Sequence, residues 1–205
     1  MRSFILIVSL LISLPAVAVD KNILVLGDSL SASYGIPMEA GWVNLLQERI
    51  QSEGYAYQVR NASITGETTA GAKVRITDLL QEYRPSIVII ELGGNDGLRG
   101  LSLAEVKQNL DSIIGHARQS QAQVLLIPMH LPTNYGPLYN RKFMDMYRNL
   151  AASHDVLLGT FILEGIGDDS SLMQDDGIHP TAPAQNRMLE NIWPDLQTLL
   201  TTGEG

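Results

Sequence analysis

Ile23-Leu24-Val25-Leu26-Gly27-Asp28-Ser29-Leu30-Ser31 is an unbroken aliphatic run that stops on a small, polar turn. Four apolar residues without alternation suit a parallel strand covered on both faces. Ser86-Ile87-Val88-Ile89-Ile90-Glu91-Leu92 and Gln123-Val124-Leu125-Leu126-Ile127 have the same character. Weaker strand candidates lie at 55–61 and 155–158. Helical patterns fall between them. Ala72, Ile76, Leu79, Leu80 and Tyr83 form one apolar stripe, and Val106, Leu110, Ile113, Ile114 and Ala117 repeat its spacing. Ser102-Leu103-Ala104-Glu105 predicts a capping box at the start of the second helix, and Pro85 ends the first. Further helices are expected at 42–52, 138–153 and 183–200. The last lines one side with Leu189, Ile192, Trp193, Leu196, Leu199 and Leu200.

Strand and helix alternating five times predicts an α/β fold: a five-stranded parallel sheet with helices on both faces. The stretch 159–177 lacks periodicity and reads as an ordered loop, and the tail from Thr201 reads as frayed. In open parallel sheets, ligands bind beyond the carboxyl ends of the strands. Ser29 follows the first strand, Gly66 the second, Asn95 the third, and His179 lies beyond the fifth. Four polar candidates far apart in sequence are therefore expected on one rim.

Composition narrows the function classes. Arg2, the apolar stretch 4–14 and Ala16-Val17-Ala18 have the form of a signal peptide cleaved near Ala18. The run is shorter than the roughly 20 residues that span a bilayer, so export is favoured over a membrane anchor. Residues 19–205 then form a single domain, with 13 Lys+Arg against 22 Asp+Glu, a net −9. That balance argues against nucleic acid, whose phosphates require a basic surface. It also gives no attraction to an anionic membrane. With no cysteine, disulfides and thiolate metal sites are excluded.

A serine hydroxyl becomes a useful nucleophile when a base removes its proton, and an imidazole needs a carboxylate to hold its tautomer. Asp176-Gly177-Ile178-His179-Pro180 supplies both groups, with Asp176 favoured over Asp175 as the partner of His179. Ser29 is favoured over Ser31 and Ser33 because it comes closest behind the strand. The amides of Ser29 and Gly66 and the Asn95 side chain are candidate donors to an oxyanion. Asp28 is read as bonding local backbone amides. A metal site from Asp175, Asp176 and His179 lacks a convincing ligand set, and HExxH spacing is absent. No metal or organic cofactor is expected. His116 and His154 are read as structural, while His130, on the active rim, is a candidate for binding. The block is not the GxSxG elbow of α/β-hydrolases.

These residues resemble the SGNH, or GDSL-type, hydrolases, matched by Ser29, Gly66, Asn95 and His179. The likeness covers essentially all of the chain after the leader. Gly93-Gly94-Asn95-Asp96-Gly97-Leu98-Arg99-Gly100, Leu131-Pro132-Thr133-Asn134-Tyr135-Gly136 and Met173-Gln174-Asp175-Asp176-Gly177-Ile178-His179-Pro180 look like the periplasmic thioesterase–lysophospholipase–arylesterase subgroup. The resemblance implies a flavodoxin-like three-layer sandwich. It also implies hydrolysis of small-molecule acyl esters, aryl esters, acyl thioesters and lysophospholipids. In the subgroup a mobile loop after the Asn block, matched by 96–103, covers the acyl chain. Asp96, Gly97 and Leu98, with Leu131 and Pro132 on the opposite wall, are thereby implied in substrate binding. His130 stands where relatives carry arginine or another polar residue. A monomer that is periplasmic or secreted is the expected form. Two alternatives remain: a carbohydrate acetylesterase on the same fold, and an exported binding module without turnover.

Overall fold

The three apolar runs become the inner strands of one parallel sheet. The computed structural model describes residues 21–202; the expected leader, residues 1–18, lies outside them. The strands are β1 (Lys21–Gly27), β2 (Tyr57–Asn61), β3 (Ile87–Glu91), β4 (Gln123–Ile127) and β5 (Leu157–Leu158), in the order β2-β1-β3-β4-β5. Every residue of β3 is buried, as are Ile23–Gly27 of β1 and the last four residues of β4. Helices on both sides explain this, and that is why these strands do not alternate. The edges differ: β2 is buried only at Tyr57, and β5 is two half-buried residues paired with Leu125 and Leu126.

The main helices are α1 (Trp42–Ser52), α2 (Thr69–Tyr83), α3 (Gly94–Leu98), α4 (Leu103–Gln119), α5 (Pro137–His154) and α6 (Gln185–Thr202). Helix α1 packs against α6, while α4 packs against both α2 and α5, giving one helical layer on each face. The expected stripe of α4 is buried at all five positions. In α2, Ala72, Ile76 and Leu80 are buried, and Leu79 and Tyr83 pack at the margin.

Two local expectations are corrected. Ser102 does occupy the N-cap position of α4, but its side chain makes no capping hydrogen bond, so the predicted box is not formed. A side-chain cap is made at α2, where the Thr68 side chain accepts from the Gly71 amide. Thr201 and Thr202 still belong to α6, which continues past its last buried residue, Leu200; the rest of the expected frayed tail, 203–205, lies outside the described residues. Among the described residues, no helix is long and apolar enough to cross a membrane.

The chain moves from β1 outward to β2 on one side and then back to β3 on the other. The point of reversal lies between the carboxyl ends of β1 and β3. Leu26 pairs with Ile90 and Gly27 with Glu91, so the turn carrying Ser29 starts beside the segment carrying Asn95. A crevice at this switch point follows from strand order alone.

Candidate active site

The Ser29 turn is built tightly against β3. Asp28 accepts from the Leu30 amide at 3.0 Å, its carbonyl accepts from Ala32, and the Ser29 carbonyl accepts from Tyr34. Gly27 is required by packing: a Cβ there would lie 2.6 Å from Ser31 Oγ and 2.7 Å from Glu91 Oε2. Ser31 is turned inward, where its hydroxyl donates to Glu91 at 2.7 Å. Ser29 instead faces the rim.

The loop after β5 delivers the imidazole. Ile162 and Ile166 are fully buried, and Asn191 on α6 donates to the carbonyls of Ile162 and Glu164. The aperiodic stretch is thus anchored. At its end Met173 bridges to Pro180, and the intervening turn holds Asp176 under His179. His179 Nε2 lies 2.9 Å from Ser29 Oγ, and its Nδ1 lies 2.6 Å from Asp176 Oδ2. The Ile178 and His179 amides both donate to Asp176 Oδ1 at 2.9 Å. These bonds hold the carboxyl at about 2, below the usual carboxylate value: the His179 amide acts most, then the His179 ring, then the Ile178 amide. Asp176, and not Asp175, reaches the ring. The Tyr34 ring lies against the imidazole, with centroids 4.3 Å apart.

The sequence identifies the segment from Gly93 as a donor-bearing block; in the structure it is a single helical turn, α3. Gly93, at φ +109°, sits where a Cβ would meet the Tyr147 hydroxyl, which itself donates to the Leu92 carbonyl. That turn carries Asn95, whose Nδ2 donates to Asp28 Oδ2 at 3.0 Å. Asp28 therefore does more than bond local amides: it orients Asn95 across 67 residues of sequence. Gly66 has φ +76°, a conformation that favours glycine, and its carbonyl accepts from Arg99.

Behind these groups lie two buried carboxyls. Burial pushes Asp28 up to about 6 and Glu91 well above the carboxylate range, Glu91 also being lifted by the charge of Asp28. A lifted carboxyl keeps its proton in the fold at a pH where the unfolded chain has released it. Its stabilising contribution is complete below about pH 4 and is lost as pH rises through 6. Asp28→Asn should remove this slope. In urea melts from pH 4 to pH 8, the parent is expected to fall relative to the variant by on the order of 3 kcal/mol at most.

A cavity of about 550 Å³ opens over Ser29 and His179. Of the residues expected in substrate binding, Leu98, Leu131 and Pro132 line it, joined by Met129, Phe161, Leu163, Met173 and Ile178. Asp96 and Gly97 do not line it. The Asp96 carboxylate is turned inward to the Thr69 amide and hydroxyl, tying α3 to α2, and Gly97 is pressed against the Leu131 side chain. Gly66 also lies outside the lining. His130 lines the cavity and stacks on Phe161 with centroids 4.2 Å apart; burial pushes its imidazole pKa down. His116 contacts the Ser112 carbonyl and His154 contacts Asp111, both away from the cavity. Tyr34, Phe161, Leu163 and Ile178 carried no periodic signal in the sequence.

A doubly wound sheet with serine, imidazole and carboxylate aligned at its switch point suits a hydrolase of carboxylic esters. The chain belongs to the GDSL-like lipase/acylhydrolase family, whose model matches residues 25–187. It is 50% identical over 190 residues to the esterase TesA of Pseudomonas aeruginosa, covering 93% of this chain and 94% of that one. Identity to the arylesterase of Vibrio mimicus is 39% over 177 residues, with 86% and 88% covered. Thioesterase 1/protease 1/lysophospholipase L1 of Escherichia coli K12 is 40% identical over 190 residues, with 93% and 89% covered. A crystal structure of TesA, also 50% identical, superposes with a TM-score of 0.86 over 87% of this chain and 99% of that chain.

Proposed function

We propose that Ser29 is the nucleophile of this carboxylic ester hydrolase, with His179 as general base and then general acid. Ser29 Oγ attacks the acyl carbonyl as its proton passes to His179 Nε2. Asp176 accepts from Nδ1–H and stabilises the imidazolium. The amides of Ser29 and Gly66 and the Asn95 side chain donate to the tetrahedral oxyanion. The alcohol or thiol leaves with the proton from His179. Water, deprotonated in turn by His179, then releases the acid. The observation that carries this reading is the unbroken Ser29–His179–Asp176 chain of contacts at 2.9 and 2.6 Å.

The substrates in this reading are aryl esters, fatty acyl thioesters and lysophospholipids. The apolar wall of Leu98, Met129, Leu131, Pro132 and Phe161 supports acyl groups longer than acetyl. The enzyme acts as a monomer in the periplasm or outside the cell, after cleavage near Ala18. A fluorophosphonate should add to Ser29, located by peptide mass, and kcat/KM over p-nitrophenyl esters and acyl thioesters of two to sixteen carbons should peak above two. An adduct elsewhere overturns the nucleophile assignment. A steep preference for acetyl overturns the chain-length reading and selects a carbohydrate acetylesterase.

A further inference from the structure

Ser29 and His179 come from turns separated by 150 residues, so their 2.9 Å contact requires that the two turns be held in register. We propose that Gln174 is the positioning residue that holds them. Its side-chain nitrogen donates to the Tyr34 carbonyl at 2.9 Å and to the Pro180 carbonyl at 3.0 Å. The first acceptor belongs to the Ser29 turn, since the Tyr34 amide donates back to the Ser29 carbonyl. The second directly follows His179. One amide group thereby uses both of its hydrogens to join the nucleophile turn to the imidazole loop.

Two further contacts set where that amide can sit. The Gln174 backbone amide donates to the His179 carbonyl at 2.7 Å, so the base of the side chain is fixed relative to the imidazole. Gly35, next to Tyr34, provides the room: a Cβ there would lie 2.3 Å from Gln174 Oε1. The Tyr34 ring, set by the same turn, closes over His179. Gln174 touches neither cavity nor reacting atoms. It acts through the distance between Ser29 and His179, and a shift of about 1 Å in such a distance costs on the order of 10²-fold in rate.

The inference rests on Ser29 and His179 being nucleophile and base, which adduct formation on Ser29 in the parent tests separately. Gln174→Met keeps length and neutrality but removes both donors. It should lower kcat for p-nitrophenyl butyrate by about 10²-fold with KM nearly unchanged, and slow fluorophosphonate addition to Ser29 by a similar factor. The downfield proton resonance of the His179–Asp176 pair should persist, because that pair is internal to the loop. Gly35→Ala should reproduce the kinetic loss from the other side, and the double variant should lose no more than the worse single one. Activity of Gln174→Met within threefold of the parent would overturn the inference. So would loss of the His179–Asp176 resonance, or multiplicative losses in the double variant.

Discussion

Ser29→Ala and His179→Ala should each lower kcat by about 10⁶-fold, and the double variant should lose no more than either. In the proposed mechanism the hydroxyl is activated only through its 2.9 Å contact with Nε2, so removing one member leaves the other without work. What survives is the rate supplied by the donors and by substrate binding, expected at roughly 10³ to 10⁴ above the uncatalysed reaction. Single-turnover assays with p-nitrophenyl butyrate, on protein free of parent enzyme, measure this. Multiplicative losses would mean that the two groups act in separate steps. Asp176→Asn is expected to cost about 10⁴-fold, because an amide nitrogen opposite Nδ1 favours the wrong tautomer.

Asn95→Ala should cost about 10² to 10³ in kcat while KM changes little. The amide of Asn95 is held by Asp28 at 3.0 Å, and Asp28 is itself fixed by the Leu30 amide. A donor fixed before substrate arrives loses no ordering energy at the tetrahedral stage, which is when charge appears on the substrate oxygen. The effect therefore belongs to kcat. Kinetics on p-nitrophenyl butyrate, with folding checked by circular dichroism, separate it from a structural effect. A rise in KM at unchanged kcat would show instead that Asn95 binds the ground state.

Ser29, Asn95, Asp176 and His179 were legible because each sits in a short block next to a strand end or turn. The environment of those blocks was less legible. Asp96 has the same polar character as Asn95, yet it points into the α2–α3 contact with Thr69. Consecutive side chains of a helix point about 100° apart, so Asn95 faces the cavity while Asp96 faces the interior, and the two glycines of α3 give no helical signal in the sequence. Ser102 and Glu105 have the spacing of a capping box, but spacing does not fix the rotamer that completes one. Gln174 carries no local signal of its role. Its partners, Tyr34 and Pro180, lie 140 and 6 residues away.

The sequence by itself determined the five strands and every main helix except α3. Burial on one or two faces leaves a periodicity that survives in one dimension, from Ile23–Leu26 to the stripe of α4. It also determined that the chain is net acidic and can form no disulfide. Only the tertiary structure decided that the sheet runs β2-β1-β3-β4-β5, that Asp28 reaches Asn95, and that Leu98 faces the cavity while Gly97 is packed away. Strand order and side-chain direction depend on contacts between positions distant in sequence. No local pattern encodes the energy of such contacts, because it exists only after the chain has brought them together.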